Sequence, residues 1–345
     1  MHQPSTSFAD KTAAVNLQLH RGKLTWRSWY EKIVEYGLLA VTILCSIFIV
    51  FIIIFLVQKA VPVLKYNGLD FITTGGWDQQ FYQAWRAGDL NPRWQFGALP
   101  LIVGTILTTT GALVIAVTLG LGCAIFLAEF APYWLRRPVE SIIRLLAAIP
   151  SVIYGLVGLL VVVPFILDHF ISDELAARYI QFAALDGTSL LAGVLVLAFM
   201  IMPIFTSLAT DALRAVPRTY KEGALALGVS HWRTITRLMI PVAGPGLTAG
   251  AILAAGRAVG EAIALSMVSG SVAFIPNPAH GFVFFLEPLR TMASTIIDNA
   301  EGMSVVTLQS ALFALGTLLL VVSLALSLMA RYVSLRVQRG VLVER

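Results

Sequence analysis

The 345-residue chain is 58% hydrophobic, only 12% charged and carries a net charge of +5, with a mean hydropathy of +0.82. A soluble domain carries about a quarter charged residues, so this composition excludes an ordinary soluble enzyme and points to an all-α polytopic membrane protein. Its basic residues sit beside apolar runs, which gives no nucleic-acid signature. Cys45 and Cys123 lie inside apolar runs and read as small hydrophobes, and the five histidines have no metal-ligand spacing.

In chain order, residues 1–30 are polar, a cytoplasmic N-terminal segment on the orientation argued below. A first span is expected from Tyr36 to Val57, too long and too late for a signal-peptide core. A polar stretch follows at about 59–97, so that 31–98 reads as one span plus a long external loop. The remaining core, 99–332, holds five more spans. They are expected at Leu99–Leu127, Ile142–Leu167, Ser189–Leu208, Leu247–Val268 and Val305–Ala330. Each is close to the 20 apolar residues that cross a bilayer. Pro150 is expected to kink the third span, with Ser151 beside it to serve the freed backbone or to touch a ligand. Residues 333–345 form a basic tail.

Orientation follows from Lys and Arg in the loops. The N-terminal segment counted through Lys32, the 131–139 turn, the 211–245 segment and the tail counted from Arg331 together hold sixteen; the alternate loops hold six. Both termini and the 211–245 segment are therefore expected in the cytoplasm, with the chain in a bacterial plasma (inner) membrane.

The 211–245 segment is too long for a plain connector. Pro217 can open a helix, Gly228 can turn the backbone sharply, and a second short helix is expected to end at Pro241. A helical hairpin on the membrane face results, either a docking surface or simply an ordered connector.

Arg257 lies inside the fifth apolar run, where a charge costs roughly 2.5–3.5 kcal/mol on insertion scales and marks a functional path by default. Glu261 follows at i+4, which on one helix places both side chains on one face. Glu261 would then neutralise Arg257. The alternative is a structural ion pair. Gly250, Gly256 and Gly260 in the same run read as close-packing positions.

The 211–245 segment also resembles the EAA loop of ABC importer permeases: Glu-Ala-Ala, three residues, Gly, nine residues, then Ile-x-Leu-Pro. Here the positions read Glu222-Gly223-Ala224, Gly228 and Leu238-Met239-Ile240-Pro241, departing at Gly223 and conservatively at 238 and 240. A narrower resemblance, to phosphate permeases of the PstC type, rests on Leu99-Pro-Leu-Ile-Val-Gly104-Thr105, Ile149-Pro150-Ser151-Val-Ile-Tyr154-Gly155-Leu156 and Gly256-Arg257-Ala-Val-Gly260-Glu261. Gly75-Gly76-Trp77-Asp78 in the long loop also fits.

That resemblance implies a six-helix permease of type I ABC importer architecture, one subunit of an ATP-driven phosphate importer. It implies three kinds of partner: a second permease, an ATPase dimer and an extracytoplasmic phosphate-binding protein. It places substrate movement on Arg257 and Glu261, with Ser151 as a weaker candidate. Coupling to the ATPase falls to Glu222, Gly223, Ala224, Gly228, Leu238, Ile240 and Pro241. The chain has no G-x-x-x-x-G-K-[ST] phosphate loop, so ATP and Mg belong to the partner and this subunit is not an enzyme. An arginine suits the role, because its planar fork of donors matches phosphate oxygens. A neighbouring carboxylate can accept a hydrogen bond from protonated phosphate but repels sulfate. The other readings are a permease for sulfate or molybdate, a carrier that works without ATP, and a membrane anchor or sensor of phosphate status.

Overall fold

A computed structural model describes the backbone of residues 8–182 and 184–343, and the side chains of 29, 31–182, 184–329, 331 and 332. The expected N-terminal segment and basic tail fall largely outside those side chains. The helices are α1 (Phe8–Asn67), α2 (Asp70–Thr73), α3 (Trp77–Ala87), α4 (Leu99–Ile125), α5 (Tyr133–Ala148), α6 (Ser151–Val157), α7 (Val163–Phe170), α8 (Asp173–Tyr179), α9 (Leu190–Arg214), α10 (Arg218–Ala226), α11 (His231–Thr234), α12 (Ile240–Val259), α13 (Ile263–Val268), α14 (Met292–Asp298) and α15 (Val306–Val343). No strand occurs among the described residues.

Six segments are long and apolar enough to cross a membrane: Glu31–Asn67, Leu99–Phe130, Ser151–Phe170, Leu190–Arg214, His231–Val259 and Val306–Met329. Their count agrees with the sequence, but two boundaries differ for a physical reason. Residues 142–167 do not form one kinked helix. Ile149 and Pro150 are extended, with ψ of 132° and 140°. The residue before a proline is pushed out of the helical region, so α5 stops and a new helix starts at Ser151. Likewise, the hairpin's second helix does not end at Pro241. It runs on as the fifth span from His231.

Wide turns explain how Pro241 is tolerated. Phe126–Phe130, Gly158–Val162 and Ile235–Met239 are π-helical, and each ends two residues before a proline (132, 164 and 241). Proline offers no N–H and clashes with the carbonyl four residues back. A π turn re-partners that carbonyl, and such turns recur at functional sites.

The chain divides into two units, Met1–Phe55 and Leu56–Arg345. In the first, nearly all side chains from 36 to 55 are apolar and exposed, the pattern of a helix solvated by lipid tails. In the second, α4, α9 and α12 share an apolar core of Ala112, Ala116, Leu197, Ile201, Phe205 and Ala254 among others. Small residues bring the helices close, as membrane packing requires. A Cβ on Gly111 would lie 2.8 Å from Val194, and one on Gly120 2.8 Å from Phe205.

The 59–97 stretch is an ordered part of this unit and not an open loop. Phe71, Trp77, Ala84 and Phe96 are buried with Leu308 and Leu312 of α15. Asn67 staples the stretch by donating to Trp94 O at 2.5 Å and accepting from Phe96 N at 3.0 Å.

Candidate functional site

Arg257 lies in the last turn of α12, which ends at Val259. Gly260 N still bonds Gly256 O, but Glu261 N turns to Ala258 O, both at 3.3 Å, and a new helix, α13, begins at Ile263. The expected i, i+4 face therefore does not exist. Glu261 is buried, and its Oε1 accepts the Ala264 N–H at 3.1 Å, capping α13 instead of meeting the arginine. No ion pair involves Arg257 among the described residues. Its side chain is exposed on a mostly apolar groove formed by Ile204 of α9, Ala249, Ile252, Leu253 and Gly256 of α12, and Ser327 of α15. All of the groove's lining residues belong to the fourth, fifth and sixth spans. The result is a guanidinium with no carboxylate partner among the described residues, opening onto a mostly apolar cleft.

The glycines of this span divide in use. Gly250 packs on α9, where an added Cβ would lie 3.2 Å from Leu208. Gly256 has open space in the groove beside Arg257, so its expected packing role does not hold within this chain.

The structure brings the third-span motif to the same place. An added Cβ on Gly155 would lie 2.9 Å from Ala264 Cα and 2.8 Å from Met267. The absent side chain thus lets α6 press directly against α13, the helix that Glu261 caps. Tyr154 stands within electrostatic reach of Arg257 and donates to Leu146 O at 2.9 Å. Ser151 opens α6 half-buried, and its hydroxyl has no protein partner among the described residues.

The Leu99–Thr105 motif does not join this site. Gly104 passes Arg290 O so closely that a Cβ would lie 2.3 Å away, and Thr105 Oγ1 accepts the Met292 N–H at 3.0 Å. Asp78 of the Gly-Gly-Trp-Asp motif converges on the same strip. It accepts from Arg290 Nη1 and from Ala273 N, both at 2.8 Å. Two motifs singled out by resemblance are therefore scaffolding for the 270–298 segment.

At the opposite end, α10 and α11 form the expected hairpin. Gly228 has φ +77°, Gly228 N bonds Leu225 O at 2.9 Å, and Val229 N bonds Ala224 O at 3.1 Å. These are the paired bonds of a Schellman motif, which favours glycine at this position. The hairpin exposes Tyr220, Leu225, Leu227 and Trp232, with Leu227 85% exposed. Large apolar side chains on a polar hairpin mark an interaction surface. Glu222, Gly223 and Gly228 are exposed, while Ala224, Leu238, Ile240 and Pro241 are half-buried.

Gly228→Val is expected to cost about 1–2 kcal/mol in the left-handed conformation and to speed hydrogen exchange across amides 218–239. Gly223→Ala has open space and is expected to slow that exchange or leave it alone. Equal exchange in Gly228→Val and the parent would contradict the motif.

Sequence reading missed the contacts behind the hairpin. Glu129, in the π turn closing α4, pairs with Lys221 of α10 and with His231 Nε2 of α11 at 3.0 Å. Glu140 of α5 pairs with Arg214, and this bond holds its carboxyl below the usual range against the opposing effect of burial. Nothing in a single sequence announces pairings made across 92 and 102 residues.

A family model described as the binding-protein-dependent transport system inner membrane component matches residues 116–339. The chain belongs to this family. As an inner membrane component of this kind it is a multi-pass membrane protein of a transporter complex. It is 34% identical over 300 residues to the phosphate transport system permease protein PstC of Pasteurella multocida, covering 84% of this chain and 89% of that one. It is 35% identical over 288 residues to the probable ABC transporter permease protein YqgH of Bacillus subtilis, covering 82% and 84%. The PstC-type resemblance drawn from the motifs therefore stands. A bacterial alginate ABC transporter, crystallised with an alginate-bound periplasmic protein, superposes with a TM-score of 0.53 over 89% of this chain and 97% of that chain at 17% identity. That is a likeness of fold alone.

Proposed function

We propose that this chain is the non-catalytic permease subunit of an ATP-driven inorganic phosphate importer, lying in a bacterial inner membrane with both termini and the α10–α11 hairpin in the cytoplasm. The observation that carries the reading is Arg257, a guanidinium without a carboxylate on a groove between membrane spans. Phosphate has no passage through hydrocarbon unaided, and a forked donor set in low dielectric compensates its charge where a bare apolar cleft does not. The groove is open on this chain, so a second permease is the natural other wall. An extracytoplasmic phosphate-binding protein delivers the anion.

The hairpin is the coupling element. Glu222 and the exposed Leu225, Leu227 and Trp232 dock on an ATPase dimer that binds ATP and Mg. Its closure moves the spans and turns Arg257 from one side of the membrane to the other. Ser151, with a free hydroxyl at the start of α6, is a secondary contact for the anion. Glu261 holds a buried carboxylate four residues after Arg257, with one oxygen already used by Ala264 N. Its other oxygen accepts a hydrogen bond from protonated phosphate, while the charge repels sulfate, which has no proton to donate near neutral pH.

The test is uptake of radiolabelled phosphate by cells lacking the gene, with and without its restoration, against excess sulfate or molybdate. Gene-dependent uptake that resists both competitors is expected. Restored uptake of another oxyanion would keep the pump and discard the substrate. Glu261→Gln is expected to reduce phosphate-over-sulfate preference by about tenfold or more, the worth of one charge-assisted hydrogen bond. Unchanged preference would remove Glu261 from selection.

A further inference from the structure

The hairpin's two covalent joints to the membrane spans differ in kind. Residues 215–217 join α10 to α9 with Pro217 extended, at ψ 133°. α11 joins α12 through the π turn Ile235–Met239. The second joint is continuous helix, but the first is an extended break, so a push on α10 would bend it unless a second connection carried the load. α4 has no covalent link to the hairpin at all.

Glu129 is that second connection. It sits in the π turn that closes α4, where Ala131 N bonds back to Phe126 O at 2.7 Å, and its side chain is only 7% exposed. Lys221 reaches it from one arm of the hairpin and His231 from the other. Phe130, the next residue, lies against the His231 ring at 5.2 Å between centroids. The surrounding groove adds Arg136, Arg214 and Arg218 against Glu222, so the largely covered Glu129 is held in a cationic setting. The carboxylate is largely covered while Lys221 and His231 are 31% and 37% exposed, so removing both partners would leave a mostly covered charge poorly compensated.

Resting on the coupling role proposed for the hairpin, we infer that Glu129 is a positioning residue that fastens both hairpin arms to the end of α4. Displacement of the hairpin then reaches α4 directly. It passes onward through the close α4–α9 contacts at Gly111 and Gly120 to the groove holding Arg257. Close-packed helices transmit such a shift with little internal give. Glu129 touches neither the anion nor the nucleotide. Its contribution is to the yield of transport per ATP.

The experiment reconstitutes the whole complex in proteoliposomes, with its second permease, ATPase and binding protein. It measures radiolabelled phosphate imported per ATP hydrolysed. Glu129→Gln is expected to assemble with the ATPase and hydrolyse ATP while importing about tenfold less phosphate per ATP, near the upper range for a substitution on a coupling route. The swap E129K/K221E is expected to recover several-fold over E129K alone. A merely structural role would lower hydrolysis and import together and leave their ratio unchanged. A Glu129→Gln complex with the parent's ratio, or a swap no better than E129K, overturns the inference. Should Glu129→Gln fail to assemble, Lys221→Met combined with His231→Gln removes both grips, keeps the acid and carries the same two outcomes. A parent complex in which the ATPase does not associate at all defeats the coupling role itself, which separates that failure from the loss of the clamp.

Discussion

Arg257→Ala is expected to lower phosphate uptake at least about 100-fold, corresponding to about 2.7 kcal/mol of lost anion stabilisation. The loss follows from two terms. A bidentate guanidinium–phosphate contact is stronger than neutral hydrogen bonds, and within the membrane nothing else in the groove offers a positive charge. The groove is otherwise lined by Ile204, Ala249, Ile252, Leu253, Gly256 and Ser327. Arg257→Lys keeps the charge but loses the fork, so it should fall between the two, about tenfold below the parent. Stability separates this reading from a structural ion pair. Since Arg257 has no carboxylate partner among the described residues, its removal leaves no buried acid uncompensated. Thermal stability of purified Arg257→Ala is expected to stay within about 0.5 kcal/mol of the parent, as for a substitution away from packing features. A variant that unfolds early, or one that imports phosphate at the parent rate, would return the residue to a scaffolding role.

How much of this was legible in the sequence depends on the range of the interaction. The six apolar runs and the hairpin at 218–239 were readable because length, hydropathy and turn residues are local. Gly228 was readable for the same reason, since a Schellman cap is written within six residues. The break at Pro150 was half readable, since a kink was expected there, and the break after Val259 was not, since Gly260 read only as a packing position. Whether a helix bends or stops also depends on what packs there. At Gly155 it is α13, pressed against α6; at Glu261 it is the Ala264 amide. The presumed Arg257–Glu261 pair failed on this point, because i, i+4 spacing has meaning only on an unbroken helix. The Glu129 clamp was not readable at all. Its partners lie far away in the chain, and one acid at the end of an apolar run looks like any interfacial carboxylate.

The Gly104 contact gives the sharpest test of packing, because the same chemical change has opposite expected effects within one helix. Gly104 and Gly122 both lie in α4. At Gly104 an added methyl would stand 2.3 Å from the Arg290 carbonyl oxygen, a backbone atom with no rotamer to escape by. Either α4 or the 289–292 strip must move. That movement strains the buried Thr105–Met292 hydrogen bond and the Asp78–Arg290 pair that ties the 59–97 stretch to this strip. Overpacking costs about 1–3 kcal/mol and sometimes more. With backbone on one side and two polar contacts depending on the same strip, Gly104→Ala is expected at the top of that range, about 3 kcal/mol. At Gly122 nothing stands within 4 Å, so Gly122→Ala should gain from helix propensity, by up to about 1 kcal/mol. Thermal unfolding of the two purified variants in the same detergent reads both effects against the parent. A fall for Gly104→Ala beside a small rise for Gly122→Ala would confirm that the Leu99–Thr105 motif exists to let the chain cross Arg290. Equal stability of the two variants would mean that the strip yields freely, and the convergence of Gly104, Thr105 and Asp78 upon it would lose its mechanical meaning.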